Sequence, residues 1–338
     1  MKQPDGVPAT EPLLRFDELS VEFATEFGWA NVVDRVSFEV GRNEIVGLVG
    51  ESGSGKSVTS LSILGLIPQP PGRISNGHIW YGDEDLTAIS INRMRKIRGN
   101  EISMIFQEPM TSLNPAFTVG DQISEVYRLH RKTSRRVAKD RAIEMLDLVG
   151  IPNPQRRVND YPHEFSGGMR QRAMIAMALV CDPKLLIADE PTTALDVTIQ
   201  AQILDLLFKL REETGMGIIF ITHDLGVVSE ICDKVVVMYA GQTVEKAVGR
   251  ELFVEPRHPY THGLLTSMPQ LGPRDQRLAS IPGRTPEPWA MPDGCRFNPR
   301  CTFAQDKCRG EALEMIELSE TRSTRCIRTD ELTLEGAK

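Results

Sequence analysis

The sequence predicts an α/β fold with parallel-type strands followed by a smaller, loop-rich C-terminal domain. Two observations carry the α/β part. Short apolar runs at 44–49, 102–106, 185–188 and 218–221 read as buried strands, each giving way to a polar or glycine-bearing turn. The first run leads into Gly50-Glu51-Ser52-Gly53-Ser54-Gly55-Lys56-Ser57 and then a segment from Val58 that can continue as a helix. That strand, glycine turn and helix context suits a phosphate-binding loop. The third observation concerns the end of the chain. Beyond Leu271 it holds Pro273, Pro282, Pro286, Pro288, Pro292 and Pro299 with little periodicity, so this stretch needs packing or a staple to hold a fold.

Bulk properties set the frame. A chain of 338 residues with 41% apolar content can hold about two domains with a real core. Its 39 basic against 46 acidic residues give a net charge of −7, which disfavours nucleic acid as a partner. No apolar run approaches the roughly 18 residues of a membrane span, and MKQPDGVPAT lacks the apolar core of a signal peptide. The expected location is therefore the cytosol, where six cysteines suit metal binding or catalysis better than disulfides.

Along the chain, 13–40 reads as short strands with a turn, because 19–23 and 36–40 alternate or nearly alternate in polarity. Phe27 and, second, Trp29 are candidates to stack on a nucleotide base; aromatics beside strands are as often core. In 50–57 the glycines bring backbone N–H groups round phosphate oxygens, Lys56 can bridge β- and γ-phosphates, and the Ser57 hydroxyl can reach Mg²⁺. A nucleoside triphosphate is the expected ligand. Strand character returns at 78–81, with His78 a surface residue, and the apolar run 102–106 ends at Gln107, where Pro109 and Pro115 break the chain.

From 119 to 150 the pattern turns helical, with Ser134 as a cap and Ala138, Ala142, Met145, Leu146 and Val149 on one face. Its basic cluster at 131–136 reads as a solvated face. Ser166-Gly167-Gly168-Met169-Arg170-Gln171 then opens a helix at 169–180 and places amides at a second anion site. The strand at 185–188 ends in Asp189-Glu190, where Asp189 is suited to Mg²⁺ and Glu190 to the attacking water. Asp196 precedes an apolar-faced helix that ends near Gly215. His223 follows the strand at 218–221, the end at which ligands bind in parallel sheets. A strand pair at 235–239 and 243–248 closes the segment.

The phosphate loop, Gln107, the Ser166-to-Gln171 signature, Asp189-Glu190, Asp196 and His223, in that order, resemble an ABC-type ATPase over about 13–250. The resemblance implies a P-loop NTPase with a RecA-like core, an antiparallel β-subdomain and an inserted helical subdomain at about 108–180. It assigns ATP to Phe27, the residues 50–57, Val58, Gln107, Asp189, Asp196 and His223, and Mg²⁺ to Ser57, Gln107 and Asp189. Catalysis falls to Glu190, His223 and Gln107. Ser166, Gly167, Gly168 and Gln171 would close on ATP held by a facing subunit.

Glu108-Pro109-Met110-Thr111-Ser112-Leu113-Asn114-Pro115 and Arg257-His258-Pro259-Tyr260-Thr261 narrow the resemblance to ATP-binding subunits of dipeptide and oligopeptide importers, a group that includes nickel systems. Such a subunit implies a nucleotide-binding domain at 1–250 and a C-terminal domain at 251–338. It also implies two permease subunits, a second ATPase that is a paralogue or another copy, an extracytoplasmic binding protein, and a place on the cytoplasmic face of the membrane. A soluble ABC ATPase acting on nucleic acid or ribosomes is the alternative.

In the tail, Cys295, Cys301, Cys308 and Cys326 are spaced C-x5-C-x6-C-x17-C, a set that suits zinc or an iron–sulfur cluster. The missing C-x2-C knuckle weakens a zinc ribbon. Arg296, Arg300, Lys307, Arg309, Arg322, Arg325 and Arg328 are expected to offset an anionic cluster. Some importer ATPases that this tail resembles carry [4Fe–4S] there, so [4Fe–4S] is the expectation and zinc the alternative. Cys181 and Cys232 read as small core residues.

Overall fold

Alternating polarity at 13–40 resolves into one long antiparallel hairpin, β1 (Leu14–Thr25) and β2 (Gly28–Val40), with Phe16 stacked on Phe38 at 4.4 Å. The structure is a computed structural model and describes residues 11–107, 112–192, 197–267 and 281–336. After the hairpin come β3 (Ile45–Val49), buried at every position, and α1 (Lys56–Ile63) beyond the glycine turn. Next, β4 (Gly72–Tyr81) pairs with β1 and β5 (Glu84–Asp85) with β4, giving an antiparallel sheet in the order β2-β1-β4-β5. β4 begins well before the 78–81 stretch because it pairs with β1 from Gly72 onward.

Past α2 (Ile91–Ile97) lies β6 (Ile102–Ile105), and the helical region follows as α3 (Val119–Arg131), α4 (Arg135–Leu148) and α5 (Gly167–Leu179). Ser134 caps α4, accepting the Val137 N–H at 3.3 Å, and the residues expected on its inner face are buried. β7 (Leu185–Asp189), α6 (Val197–Thr214) and β8 (Gly217–Ile221) come next. After α7 (Leu225–Ile231), β9 (Lys234–Tyr239) and β10 (Gln242–Val248) form the expected antiparallel pair. α8 (Gly249–Val254) and α9 (Pro259–Thr266) lead into the tail.

The chain packs into two compact units. One draws on 1–41, 45–88 and 221–338. It holds the antiparallel sheet and a second run of strands that begins with two from the tail, β11 (Ile316–Ser319) and β12 (Arg322–Thr324), in the order β11-β12-β10-β9-β3, in which β3 and β9 are parallel. The other draws mainly on 89–220 and holds α2 to α6 with strands in the order β8-β7-β6, of which β6 and β7 are parallel.

The tail departs from the sequence expectation in two ways. It is not loop alone: β11 (Ile316–Ser319) and β12 (Arg322–Thr324) form a hairpin, and β12 pairs antiparallel with β10, adding the tail to the sheet that carries the phosphate loop. Its basic residues also have employment other than offsetting a cluster. Arg296 donates to Ala240 O at 2.5 Å, Arg300 to Pro282 O at 2.8 Å, and Arg325 to Thr243 O at 2.9 Å. Arg322 and Arg328 bond Glu255 O and Phe303 O, while Lys307 and Arg309 pair with Glu331 and Asp306. A segment too poor in apolar residues for its own core is thus cross-linked by guanidinium groups on backbone carbonyls.

Candidate active site

In the first unit, β3 ends at Val49 and the chain turns through Gly50 at φ 148°, where an added Cβ would lie 2.1 Å from Met238 O. Only glycine lets the loop lie this close to β9. Gly55, at φ 102°, caps α1, which has neither a side-chain cap nor an acidic residue in its first turn, so the positive end of the helix is left for an anion. Lys56 is 8% exposed, and its Nζ donates to Gly50 O at 2.8 Å, Glu51 O at 2.9 Å and Ser54 Oγ at 3.3 Å. The loop folds round its own ammonium group. Ser57 and Ser52 are exposed and Val58 is half-buried.

Phe27 and Trp29 sit at the β1–β2 turn, 67% and 50% exposed. Arg73 covers the Trp29 face at 3.8 Å, whereas Phe27 meets Trp289 at 5.6 Å. Trp289 was not anticipated, since nothing in its proline-rich surroundings points to the hairpin. His223 follows β8 and is exposed, and Asp224 caps α7 by accepting the Gly226 N–H at 3.0 Å.

In the second unit, the buried β7 delivers Asp189, 5% exposed, and then Glu190 in a left-handed conformation at φ 47°. A glutamate seldom adopts that backbone, and such residues concentrate at functional sites. Gln107 Nε2 donates to Glu190 Oε2 at 2.9 Å, which fixes the direction of the carboxylate. Ser166 caps α5, accepting the Met169 N–H at 3.4 Å, and is exposed together with Gly167. Gln171 is different: it is 1% exposed and its amide donates to Pro191 O, so it braces the turn after β7. Asp196 and 108–111 lie outside the described residues.

Comparison with known proteins accounts for this combination. The ABC transporter family model matches residues 33–193, and the model of the oligopeptide/dipeptide transporter C-terminal region matches 244–308. A relative in Brucella abortus, whose name describes a peptide import ATP-binding protein, is 54% identical over 333 residues, covering 95% of this chain and 98% of that protein. The chain belongs to the ABC transporter family. A similarly named protein of Brucella suis is 54% identical over 317 residues, covering 94% of this chain and 95% of its own length. Among solved structures, a dimeric ATP-binding cassette in a post-hydrolysis state bound to ADP and Pi aligns with TM-score 0.64 and 26% identity, over 70% of this chain and 99% of that one. The structure of cbiO1 from Clostridium perfringens, part of the ABC transporter complex cbiONQ, aligns with TM-score 0.60 and 27% identity, over 72% of this chain and 90% of that one.

This ABC protein is an ATPase with a P-loop NTPase fold, binding ATP with Mg²⁺. No described helix is long and apolar enough to cross a membrane. Its tail brings Cys295, Cys301, Cys308 and Cys326 to one cavity, which His258, Phe297 and Arg328 also line. Burial pushes the Cys295 thiol up to about 11 and Cys326 up to about 12. His258 is fully buried; its Nδ1 accepts the Tyr260 N–H at 3.1 Å, and its Nε2 is a buried polar atom without a hydrogen-bond partner. Among the described residues no three His, Cys, Asp or Glu side chains form a ready site for a metal ion.

Sequence reasoning missed the reach of the tail into the phosphate loop. Tyr260 Oη accepts the Glu51 N–H at 2.7 Å, and Arg300 pairs with the Glu51 carboxylate at 2.6 Å. Tyr260 stood in the His-Pro-Tyr-Thr motif and Arg300 beside Cys301, yet neither spacing carries a long-range partner.

Proposed function

We propose that this ATPase is the motor subunit of a membrane importer for dipeptides or oligopeptides, peripheral on the cytoplasmic face of the membrane. It would work with two permease subunits, a second ATPase, best sought as a paralogue, and an extracytoplasmic binding protein. The observation that carries the reading is the joining, in one chain, of an ATPase site to a tail matching the oligopeptide/dipeptide transporter C-terminal region. Near full-length identity to relatives named for peptide import supports it.

In this reading 1–250 is the nucleotide-binding domain, with the helical subdomain at about 108–180, and 251–338 the C-terminal domain. Phe27 stacks on adenine, and the loop residues 50–57 with Val58 hold the phosphates. Glu190, oriented by Gln107, accepts a proton from the attacking water, and His223 contacts the γ-phosphate. Ser57, Gln107 and Asp189 would hold Mg²⁺, which when bound would offset the charge of the phosphates. Ser166, Gly167 and Gly168 face a second subunit's nucleotide and Asp196 completes the set, while Gln171 acts by bracing. Uptake of a labelled tripeptide by cells carrying Lys56→Ala in place of the wild-type gene tests the reading. Loss of uptake is expected; unchanged uptake overturns it.

We propose that the tail holds a [4Fe–4S] cluster. Four thiols line one cavity, which His258 also lines. Cys295, Cys301, Cys308 and Cys326 would hold the group, which when bound supplies a cross-link and a one-electron redox centre. Anaerobic purification should give a brown protein with about four irons per chain. A colourless protein with one zinc would assign the same thiols to zinc instead.

A further inference from the structure

Glu51 is gripped at all of its polar groups. Its N–H donates to Tyr260 Oη at 2.7 Å, and its carboxylate accepts from Arg300 at 2.6 and 3.0 Å and from Thr285 Oγ1 at 3.2 Å. Its carbonyl accepts from Lys56 Nζ at 2.9 Å and from the Ser54 N–H at 3.2 Å. The first two grips come from the C-terminal segment. The third leads straight to the lysine and loop amides that meet phosphate.

The gripping side chains are themselves fixed. The Tyr260 ring is fully buried, 4.6 Å from Tyr239 and 5.3 Å from Phe297. The Arg300 side chain is 5% exposed, donates also to Pro282 O and Ile281 O, and lies 5.7 Å over the Tyr239 ring. Its two-point pairing with Glu51 has the planar fork geometry that sets position as well as charge. That pairing holds the guanidinium above its usual range. Charge matters here because an uncompensated carboxylate at the second position of a phosphate loop repels the triphosphate entering it.

We propose that Tyr260 and Arg300 are positioning residues for ATP: acting through Glu51, they set the phosphate-loop backbone and mask a carboxylate that would otherwise oppose the nucleotide. The inference rests on the ATPase assignment and is independent of what the cysteines hold.

The test is MgATP affinity and steady-state hydrolysis on the full-length chain, with thermal melting for each variant. Lys56→Ala checks the underlying assignment, since retained nucleotide binding there would fault the ATP site itself and not this inference. Arg300→Gln should raise Kd and KM about tenfold with kcat within about twofold. Arg300→Lys should recover part of the loss by restoring charge without the fork. Glu51→Gln combined with Arg300→Gln should bind better than Arg300→Gln alone, because the repelling charge is gone; a purely structural role predicts no such rescue. Tyr260→Phe should raise KM about threefold. An Arg300→Gln protein that melts as wild type and keeps its Kd overturns the proposal, as does a double variant no better than Arg300→Gln. Should Arg300→Gln not fold, Glu51→Gln and Tyr260→Phe carry the test, and unchanged KM in both overturns it.

Discussion

The phosphate loop and the C-terminal tail hold charge in opposite ways. The loop uses backbone: glycines at 50, 53 and 55 with positive φ bring N–H and C=O groups round Lys56 within a few residues of sequence. The tail uses side chains, with Arg296, Arg300, Arg322, Arg325 and Arg328 reaching carbonyls or carboxylates far away in the chain. A backbone site is specified by local spacing, whereas a cross-linked segment is specified by pairs that only folding brings together. Changes near the ATP chemistry should therefore alter rates and spare stability, and changes to the tail's cross-links other than Arg300, which grips the loop itself, should do the reverse.

The largest effect sharpens the first half of that contrast. Glu190→Gln is expected to slow phosphate release about a thousandfold while leaving MgATP affinity and melting temperature as in wild type; a matching fall in melting temperature would break the contrast. Next, Arg322→Leu takes the counter-ion from Glu245, fully buried at 0% exposure and paired to Arg322 at 3.2 Å, and leaves it only hydrogen-bond donors such as the Arg257 and His258 N–H groups at 2.8 and 3.0 Å. Denaturant unfolding should register a loss of about 3 kcal/mol, most of it recovered in Glu245→Gln/Arg322→Leu, because an unpaired buried charge costs more than the pair contributes. A smaller loss, about 1.5 kcal/mol, is expected from Arg325→Met, which leaves the carbonyls of Thr243 and Leu313 without its donors. Its KM for ATP should not move. Ser134→Ala gives the ordinary scale: removing the cap of α4 should cost about 1 kcal/mol, seen as faster amide exchange at 137–140.

Elements with a period or a cap were legible in the sequence. Ser134 and the inner face of α4, the buried strands β3, β6, β7 and β8, and the β9–β10 pair all stand where the pattern put them. Pro259 likewise opens α9, with His258 as its cap, a position that suits proline. The Gln107–Glu190 contact joins two residues that the motif order had already singled out. What did not show was the hairpin β11–β12, whose strands are short and largely polar and are held by pairing with β10. Gln171 was assigned outward from its motif, yet the helix turns it toward Pro191. The Glu51–Arg300 pair was equally hidden, because a charge pair 249 residues apart leaves no periodic trace.

Lys56 has three oxygen partners within its own loop. Nucleotide entry is therefore an exchange of ligands on an ammonium group, in which phosphate oxygens displace loop carbonyls. The loop thus supplies its lysine with partners of its own. Its affinity for ATP is then a difference between two well-solvated states, and a small anion such as sulfate, which replaces fewer of the loop's own contacts, should compete poorly for the same place.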